Sequence, residues 1–208
     1  MKSQKRWGDA AVVEEPSARE VMVTEPKNLE VVDNRIYFYS EVDRETVLDL
    51  NKTLRIRHNS SVTEQKTMGV ENPVPIYLYI QSYGGSIFSG LSAMDEVLSV
   101  RQQVPVYTIV DGCCASAATF ISIVGTKRYM KPNAMMLIHQ LTSSMWGKYL
   151  EFQDEMKNLD MMMEKIRAIY GTYSKVPLGK LDGILKHDLW FDLKTCLRYG
   201  LVDEVYKN

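Results

Sequence analysis

The sequence has no long hydrophobic run, no cysteine framework and no excess of charge of either sign. No apolar run approaches the roughly 18 residues that a membrane-spanning helix needs, so a membrane protein is not expected. The three cysteines, two of them adjacent, form neither a CxxC pair nor a disulfide pattern, which favours a reducing compartment. The formal net charge of -1 gives no electrostatic reason to expect nucleic-acid binding.

The N-terminal 26 residues also lack the features of a targeting segment. They have no continuous apolar region of the signal-peptide type, and they are richer in acids than a transit peptide. Charges, small residues and two prolines are mixed without periodicity, which predicts a flexible arm or a removable propeptide. We therefore expect an arm at 1–26, one folded domain at 27–208, and a cytoplasmic location.

Most of the remaining chain is predicted to alternate strands with helices. Apolar strands are predicted at 35–39, 75–80 and 104–110, and helical spacing follows in 87–98 and 115–124. Asp43 can cap a further helix that carries Val47 and Leu50. This alternation predicts a mainly parallel α/β sheet with ligand chemistry at the carboxyl ends of the strands. The polar segment 58–72 breaks the pattern, so we predict a surface loop in which His58 has no partner.

Residues 75–124 carry the clearest functional signal. Two predicted strands end at the turns SYGGS and GCCASAA, and each turn leads directly into a helix. Glycines let a turn approach a ligand closely, and Ser116 stands among small residues that leave its hydroxyl accessible. Unpaired N–H groups at such a position can stabilise an oxyanion. Small residues equally suit the tight packing of a helix on a sheet, so the turn alone leaves both interpretations open.

A possible general base and several carboxylates lie further along the chain. Of the three histidines, only His139 is at the carboxyl end of a predicted strand, although a core position would also suit it. Asp192 precedes a predicted helix and is expected to cap it. The carboxylates near the C-terminus that could orient a histidine are Asp182, Asp188, Asp192 and Asp203.

Four motifs in the chain resemble the proteolytic subunit of the Clp protease (ClpP), from about residue 34 to the C-terminus. They are, in the family's order, IYLYIQSYGGS, GCCASAATF, KRYMKPNAMMLIHQ and DLWFDLKTCLRYGLVDEV. The resemblance implies a serine peptidase with a crotonase-like α/β spiral of repeated β-β-α units and a protruding helix-strand handle. It implies Ser116 as the nucleophile, His139 as the general acid and base, and Asp188 as the orienting acid.

The same resemblance implies the residues that support catalysis and docking. The N–H groups of Gly85 and Ala117 would form the oxyanion hole, and the chemistry requires no metal or cofactor. Tyr77, Tyr79 and Tyr129 match the family's apolar clefts for an ATP-driven unfoldase of the Clp type, with ordinary packing as the alternative. The expected substrates are unfolded polypeptides, because the family encloses its serines in a chamber with narrow pores.

The segment 148–170 predicts a long helix with an apolar stripe at spacings of three and four residues. In the family, this helix and the strand before it form the handle that joins two stacked seven-membered rings. We therefore expect the stripe to be a subunit-contact surface of a homo-oligomer. Its members are Tyr149, Phe152, Met156, Leu159, Met163, Ile166 and Tyr170.

Some positions depart from the family's pattern. Tyr83 replaces the proline that is usual before the diglycine, Ala117 replaces a commonly larger residue, and Leu141 replaces a proline after His-Gln. Tyr83 leaves the turn less rigid, the N–H of Ala117 does not depend on its side chain, and Leu141 with the segment 142–146 borders the expected substrate cleft, so cleavage preference is affected more than chemistry. Two alternatives stay open: a catalytically silent ring subunit, and a crotonase-type acyl-CoA enzyme that shares the fold and the oxyanion logic. The presence of all three proposed catalytic residues favours the peptidase.

Overall fold

The computed structural model describes residues 29–207, so the arm expected at 1–26 lies outside the described residues. The strands are β1 (Leu29–Val32), β2 (Arg35–Phe38), β3 (Ile76–Ser82), β4 (Val106–Ala115), β5 (Lys127–Met130), β6 (Met135–Leu137) and β7 (Glu204–Val205). The helices are α1 (Arg44–Met68), α2 (Ile87–Val100), α3 (Ala118–Ser122), α4 (Tyr149–Tyr173), α5 (Leu178–Leu185) and α6 (Leu193–Arg198). Within this part of the chain, no helix is long and apolar enough to cross a membrane.

The strands form one mixed sheet in the order β1-β2-β3-β4-β5-β7. Among the strand pairs formed by residues 29–207, the β1–β2 pair is antiparallel and the others are parallel. The long strand β4 has two partners on the same side: Tyr107–Val110 pair with β5, and Cys113–Ala115 pair with β6. The expected α/β class with a mainly parallel sheet is confirmed.

The core lies where the helices cover this sheet. Strands β2, β3 and β4 bury one face of the sheet through residues such as Ile36, Leu78 and Val106, whereas Tyr37 and Tyr77 on the opposite face are only half-buried. Helix α2 packs through small and apolar residues, among them Ala93, Met94 and Val97. Asp43 caps α1 by accepting from the N–H groups of Glu45 and Thr46, as its position before the apolar pattern predicted.

The prediction of a loop at 58–72 is wrong, because α1 continues to Met68 and ends at Gly69 in the left-handed conformation. The segment before Gly69 contains neither proline nor glycine, and a helix that exposes most of its surface can be polar throughout. Ser61 anchors it by donating from Oγ to the Val74 carbonyl at 2.6 Å. His58, expected to lack a partner, has its Nε2 3.2 Å from Gln103 Oε1.

The helix predicted at 115–124 is shorter than expected. Strand β4 runs to Ala115 because it pairs with β6, and α3 covers only Ala118–Ser122. This long-range pairing overrides the local helical signal and leaves Ser116 in the turn between the two elements. The strand expected before α4 is not formed either: 138–148 contain neither helix nor strand, since no described segment pairs with them.

Candidate active site

A cleft of about 290 Å³ opens at the carboxyl ends of the central strands. Ser116 and His139 line it together with the backbone of both predicted oxyanion donors. The sheet brings these residues together because β4 and β6 are parallel neighbours whose carboxyl ends meet at one edge. The apolar part of the wall consists of Ile87, Phe120, Leu141, Ile166 and Tyr170.

Ser116 occupies a sharp turn with strained backbone geometry. Its φ of 54° is in the left-handed region, which a non-glycine residue adopts at a cost of about 1–3 kcal/mol. Its N–H donates to the Leu137 carbonyl at 2.9 Å, so the turn continues the pairing of β4 with β6. The result is a half-buried side chain that faces the cleft instead of continuing a strand or a helix.

The diglycine turn packs directly against the turn of Ser116. A Cβ added to Gly84 would lie 2.6 Å from Ser116 Cβ and 2.8 Å from the Ala115 carbonyl oxygen, and one on Gly85 would lie 2.5 Å from the Val42 carbonyl oxygen. Both glycines also have positive φ, 98° and 144°. Only glycine fits these two positions, because a side chain would collide with backbone atoms and adopt a strained conformation.

His139 follows β6 and lies next to Asp188. Nδ1 of His139 is 3.2 Å from Oδ1 of Asp188, whose side chain is 78% exposed. The acid reaches the histidine because its loop is fastened at both ends: Gln140 donates to the Leu185 carbonyl at 2.7 Å, and Phe191 donates to the Met136 carbonyl at 2.6 Å. Among the hydrogen bonds of residues 29–207, none joins Ser116 to His139.

The other candidate carboxylates are engaged elsewhere. Asp182 lies 2.6 Å from Nε of Arg167. Asp192 caps α6 by accepting from the N–H of Thr195 at 2.8 Å, and this bonding to Thr195 lowers the pKa of the carboxyl. Asp203 accepts from the guanidinium of Arg128. Asp188 is therefore the carboxylate in contact with His139.

Gly85 and Ala117 line the cleft, and their N–H groups have no acceptor among the hydrogen bonds of the described residues. The neighbouring donors are occupied: Gly84 donates to Ser82 Oγ and Ser86 donates to the Val42 carbonyl. Two unoccupied backbone donors beside a serine hydroxyl can bind a developing oxyanion. Within residues 29–207, no cluster of His, Cys, Asp and Glu could hold a metal ion.

Sequence reasoning missed a contact between the diglycine turn and the acid loop. The rings of Tyr83 and Trp190 meet edge to face, with centroids 6.3 Å apart. Trp190 follows Asp188 by two positions, so the pair links the turn of Gly85 to the loop of the acid. Tyr83 is noticeable in the sequence only as a departure from proline, and no local pattern signals that its partner is Trp190.

The three predicted docking tyrosines do not form one surface. Tyr77 and Tyr129 line a second cavity of about 640 Å³, together with Tyr206 and Arg35. Tyr79 is only 4% exposed and forms an aromatic cluster with Tyr37 and Tyr206, with its Oη 2.5 Å from that of Tyr206. The sequence did not predict that Tyr206 contacts Tyr79 and lines this cavity, because β7 is short and joins the sheet through long-range pairing.

The apolar stripe of α4 divides into two parts. Towards the N-terminus of the helix, Tyr149, Phe152 and Met156 are exposed. Towards the C-terminus, Ile166 and Tyr170 are buried in the core and also line the cleft. The helix therefore has an exposed apolar end and an end that forms part of the candidate site.

The comparisons with known proteins all found similarity to Clp proteases. The family model described as Clp protease matches residues 32–208. The ATP-dependent Clp protease proteolytic subunit 2 of Treponema denticola is 30% identical over 176 residues, covering 84% of this chain and 82% of that protein. The ATP-dependent Clp protease proteolytic subunit of Streptococcus mutans is 34% identical over 142 residues, covering 66% and 71%. A solved ClpP1 mutant from Listeria monocytogenes shares the fold, with a TM-score of 0.71 and 24% identity over 84% of this chain and 92% of that one.

Proposed function

Since the chain belongs to the Clp protease family, a family of serine-type peptidases, we propose that it is a serine endopeptidase that cleaves unfolded polypeptides with Ser116, His139 and Asp188. The observation that carries this proposal is the common cleft of Ser116 and His139, with Oδ1 of Asp188 3.2 Å from Nδ1 of the imidazole. This set separates the peptidase from a crotonase-type acyl-CoA enzyme and from a silent ring subunit, which do not need it.

Each group of the cleft has a step in the proposed reaction. The Ser116 hydroxyl attacks the peptide carbonyl, and Nε2 of His139 takes its proton, because Nδ1 faces Asp188. The N–H groups of Gly85 and Ala117 bind the oxyanion of the tetrahedral intermediate. The imidazolium then protonates the leaving amine, and a water molecule activated by the same histidine hydrolyses the acyl-enzyme.

The proton transfer requires Ser116 and His139 to come closer than they are in the free chain. Catalytic hydrogen bonds are commonly long before substrate binds and tighten to about 2.6–3.2 Å in the complex. The exposed position of Asp188 gives the His139 side chain freedom to make this adjustment. In this proposal, a substrate that binds against the apolar wall of the cleft brings Ser116 and His139 into hydrogen-bond distance.

The assembly and the partners are part of the proposal. The exposed apolar end of α4 supports a contact between subunits, which we propose joins two stacked seven-membered rings of this chain. The cavity of Tyr77 and Tyr129 supports docking of a Clp-type ATP-driven unfoldase through an apolar loop, while Tyr79 would act only by shaping the cluster. The cytoplasmic location stays a prediction from the sequence.

The test is hydrolysis of a fluorogenic peptide and of a folded protein by the parent chain and by Ser116→Ala. The parent is expected to cleave the peptide and to spare the folded protein until the unfoldase and ATP are added. Ser116→Ala is expected to cleave neither, while its assembly is unchanged in light scattering, because the site loses a single hydroxyl. Peptide hydrolysis by Ser116→Ala at the parent rate would refute the proposed nucleophile.

A further inference from the structure

Two buried hydroxyl groups lie directly beneath the Ser116 turn. Oγ1 of Thr119, in α3, is 2.6 Å from the carbonyl oxygen of Ser116 and 2.7 Å from Oη of Tyr170, in α4. Thr119 is 0% exposed and Tyr170 is 1% exposed. The two residues are separated by 51 positions in the chain, so this contact exists only because α4 packs against α3.

The chemistry of the three groups fixes the direction of both hydrogen bonds. A backbone carbonyl can only accept, so the single hydroxyl proton of Thr119 is donated to Ser116. Tyr170 must therefore donate to Thr119 Oγ1, which has no second proton to give. Burial raises the pKa of Tyr170, which keeps its hydroxyl protonated for this bond. The order of donation is Tyr170 to Thr119 to Ser116.

The final acceptor of this series of hydrogen bonds is Ser116, whose backbone conformation is strained. Ser116 has a strained φ of 54°, and its carbonyl receives both the hydroxyl and the N–H of Thr119, the latter at 3.0 Å. Threonines in helices often donate back to a carbonyl of the preceding turn, but here the acceptor lies outside the helix. Strained conformations persist where surrounding contacts over-determine them, and this chain of hydroxyls is such a contact.

We propose that Thr119 and Tyr170 are positioning residues that hold the Ser116 turn in its reactive geometry. The inference rests on the proposed function, because it presumes that Ser116 is the nucleophile. In this proposal, α4 also helps to position the nucleophile, because the Tyr170 hydroxyl at its buried end bonds to Thr119, which bonds to Ser116. The other end of the same helix is exposed and apolar.

The test compares variants that remove one hydrogen bond at a time. Thr119→Val keeps the shape of the side chain but removes the donor, Thr119→Ser keeps the donor, and Tyr170→Phe keeps the ring. Ser122→Ala is the matched control, because the Ser122 hydroxyl is also buried in α3 but donates to the Thr119 carbonyl instead of the Ser116 turn. For each variant, the rate of Ser116 labelling by a fluorophosphonate probe is measured with peptide kcat, KM and the melting temperature.

Thr119→Val is expected to lower kcat and the labelling rate about tenfold or more, because a bond to the strained turn is lost and the Tyr170 hydroxyl loses its acceptor. KM should change little. Thr119→Ser should restore both rates, Tyr170→Phe should give a smaller loss, and Ser122→Ala should lower the melting temperature without lowering the labelling rate.

Parent rates in Thr119→Val would overturn the inference. Equal losses in Thr119→Ser and Thr119→Val would also overturn it, because Thr119→Ser keeps the donor and its loss would indicate an effect of packing instead of the hydrogen bond. If Thr119→Val does not fold, Tyr170→Phe decides, and a kcat equal to that of the parent overturns the role of the tyrosine. Absence of labelling in the parent protein would instead contradict the proposed function itself, so the two failures are distinguishable.

Discussion

Replacing Gly84 with alanine tests how closely the diglycine turn must approach the nucleophile. The new Cβ would lie 2.6 Å from Ser116 Cβ, and an ordinary contact begins at 3.4 Å, so the two turns must separate by roughly 0.8 Å. The atoms on the other side cannot yield easily, because Ala115 is held in β4 by its pairing with Leu137. The displacement therefore falls on the turn that carries the oxyanion donor Gly85.

Backbone strain sets the expected loss of stability in Gly84→Ala, and the displacement of the turn sets the expected loss of kcat. A φ of 98° costs a non-glycine residue about 1–3 kcal/mol, and the overlap adds to this. A chain of this length loses about 2–4 °C in melting temperature for each kcal/mol. A displacement near 1 Å in an active site can lower turnover by about 10²-fold, so we expect kcat for a peptide to fall by about that factor.

The matched control for Gly84→Ala is Gly183→Ala. Gly183 lies within α5 and has no atom within 4 Å of an added Cβ, so alanine should be neutral or stabilising there by about 0.5–1 kcal/mol. The assay is peptide hydrolysis together with thermal unfolding of both variants. Parent kcat and parent melting temperature in Gly84→Ala would refute the argument that the turns are in contact.

Three further changes test the acid, the assembly and the docking surface. Asp188→Asn should lower kcat by up to about 10⁴, whereas Asp192→Asn, which still caps α6, should leave it nearly unchanged; the reverse ranking in peptide assays would exclude Asp188. Met156→Asp should reduce the mass found by light scattering, because it places a charge in the proposed contact, and an unchanged mass would refute this. Tyr129→Ala should preserve peptide hydrolysis and abolish unfoldase-dependent degradation, and equal loss of both would indicate a packing role.

The parts of the fold that were predicted correctly depend on local signals. The caps at Asp43 and Asp192 and the apolar spacing of α2 follow from side chains a few positions apart. Two of the wrong predictions, the loop at 58–72 and the helix that was expected to begin at residue 115, concern features decided at long range. Strand β4 runs to Ala115 because β6 lies beside it, and the polar end of α1 is anchored through Ser61 to the Val74 carbonyl.

The candidate site shows the same division. Ser116 and His139 became candidates because each follows a predicted strand, and the resemblance then implied their roles; both line one cleft. Asp188 was selected by resemblance, since nothing local distinguishes it from other aspartates, and the structure brings it to 3.2 Å from His139. Their catalytic roles stay predictions. The contacts of Tyr83 with Trp190 and of Thr119 with Tyr170 join distant segments, and no pattern in the sequence indicates them.

The most direct test of the account is peptide mapping by mass spectrometry after the assembled protein reacts with a fluorophosphonate probe. We predict one adduct per chain, on Ser116, and its loss in His139→Ala, because the hydroxyl then has no base to remove its proton. An adduct on another serine, or undiminished labelling of Ser116 in His139→Ala, would contradict the claim that these two residues form the catalytic centre.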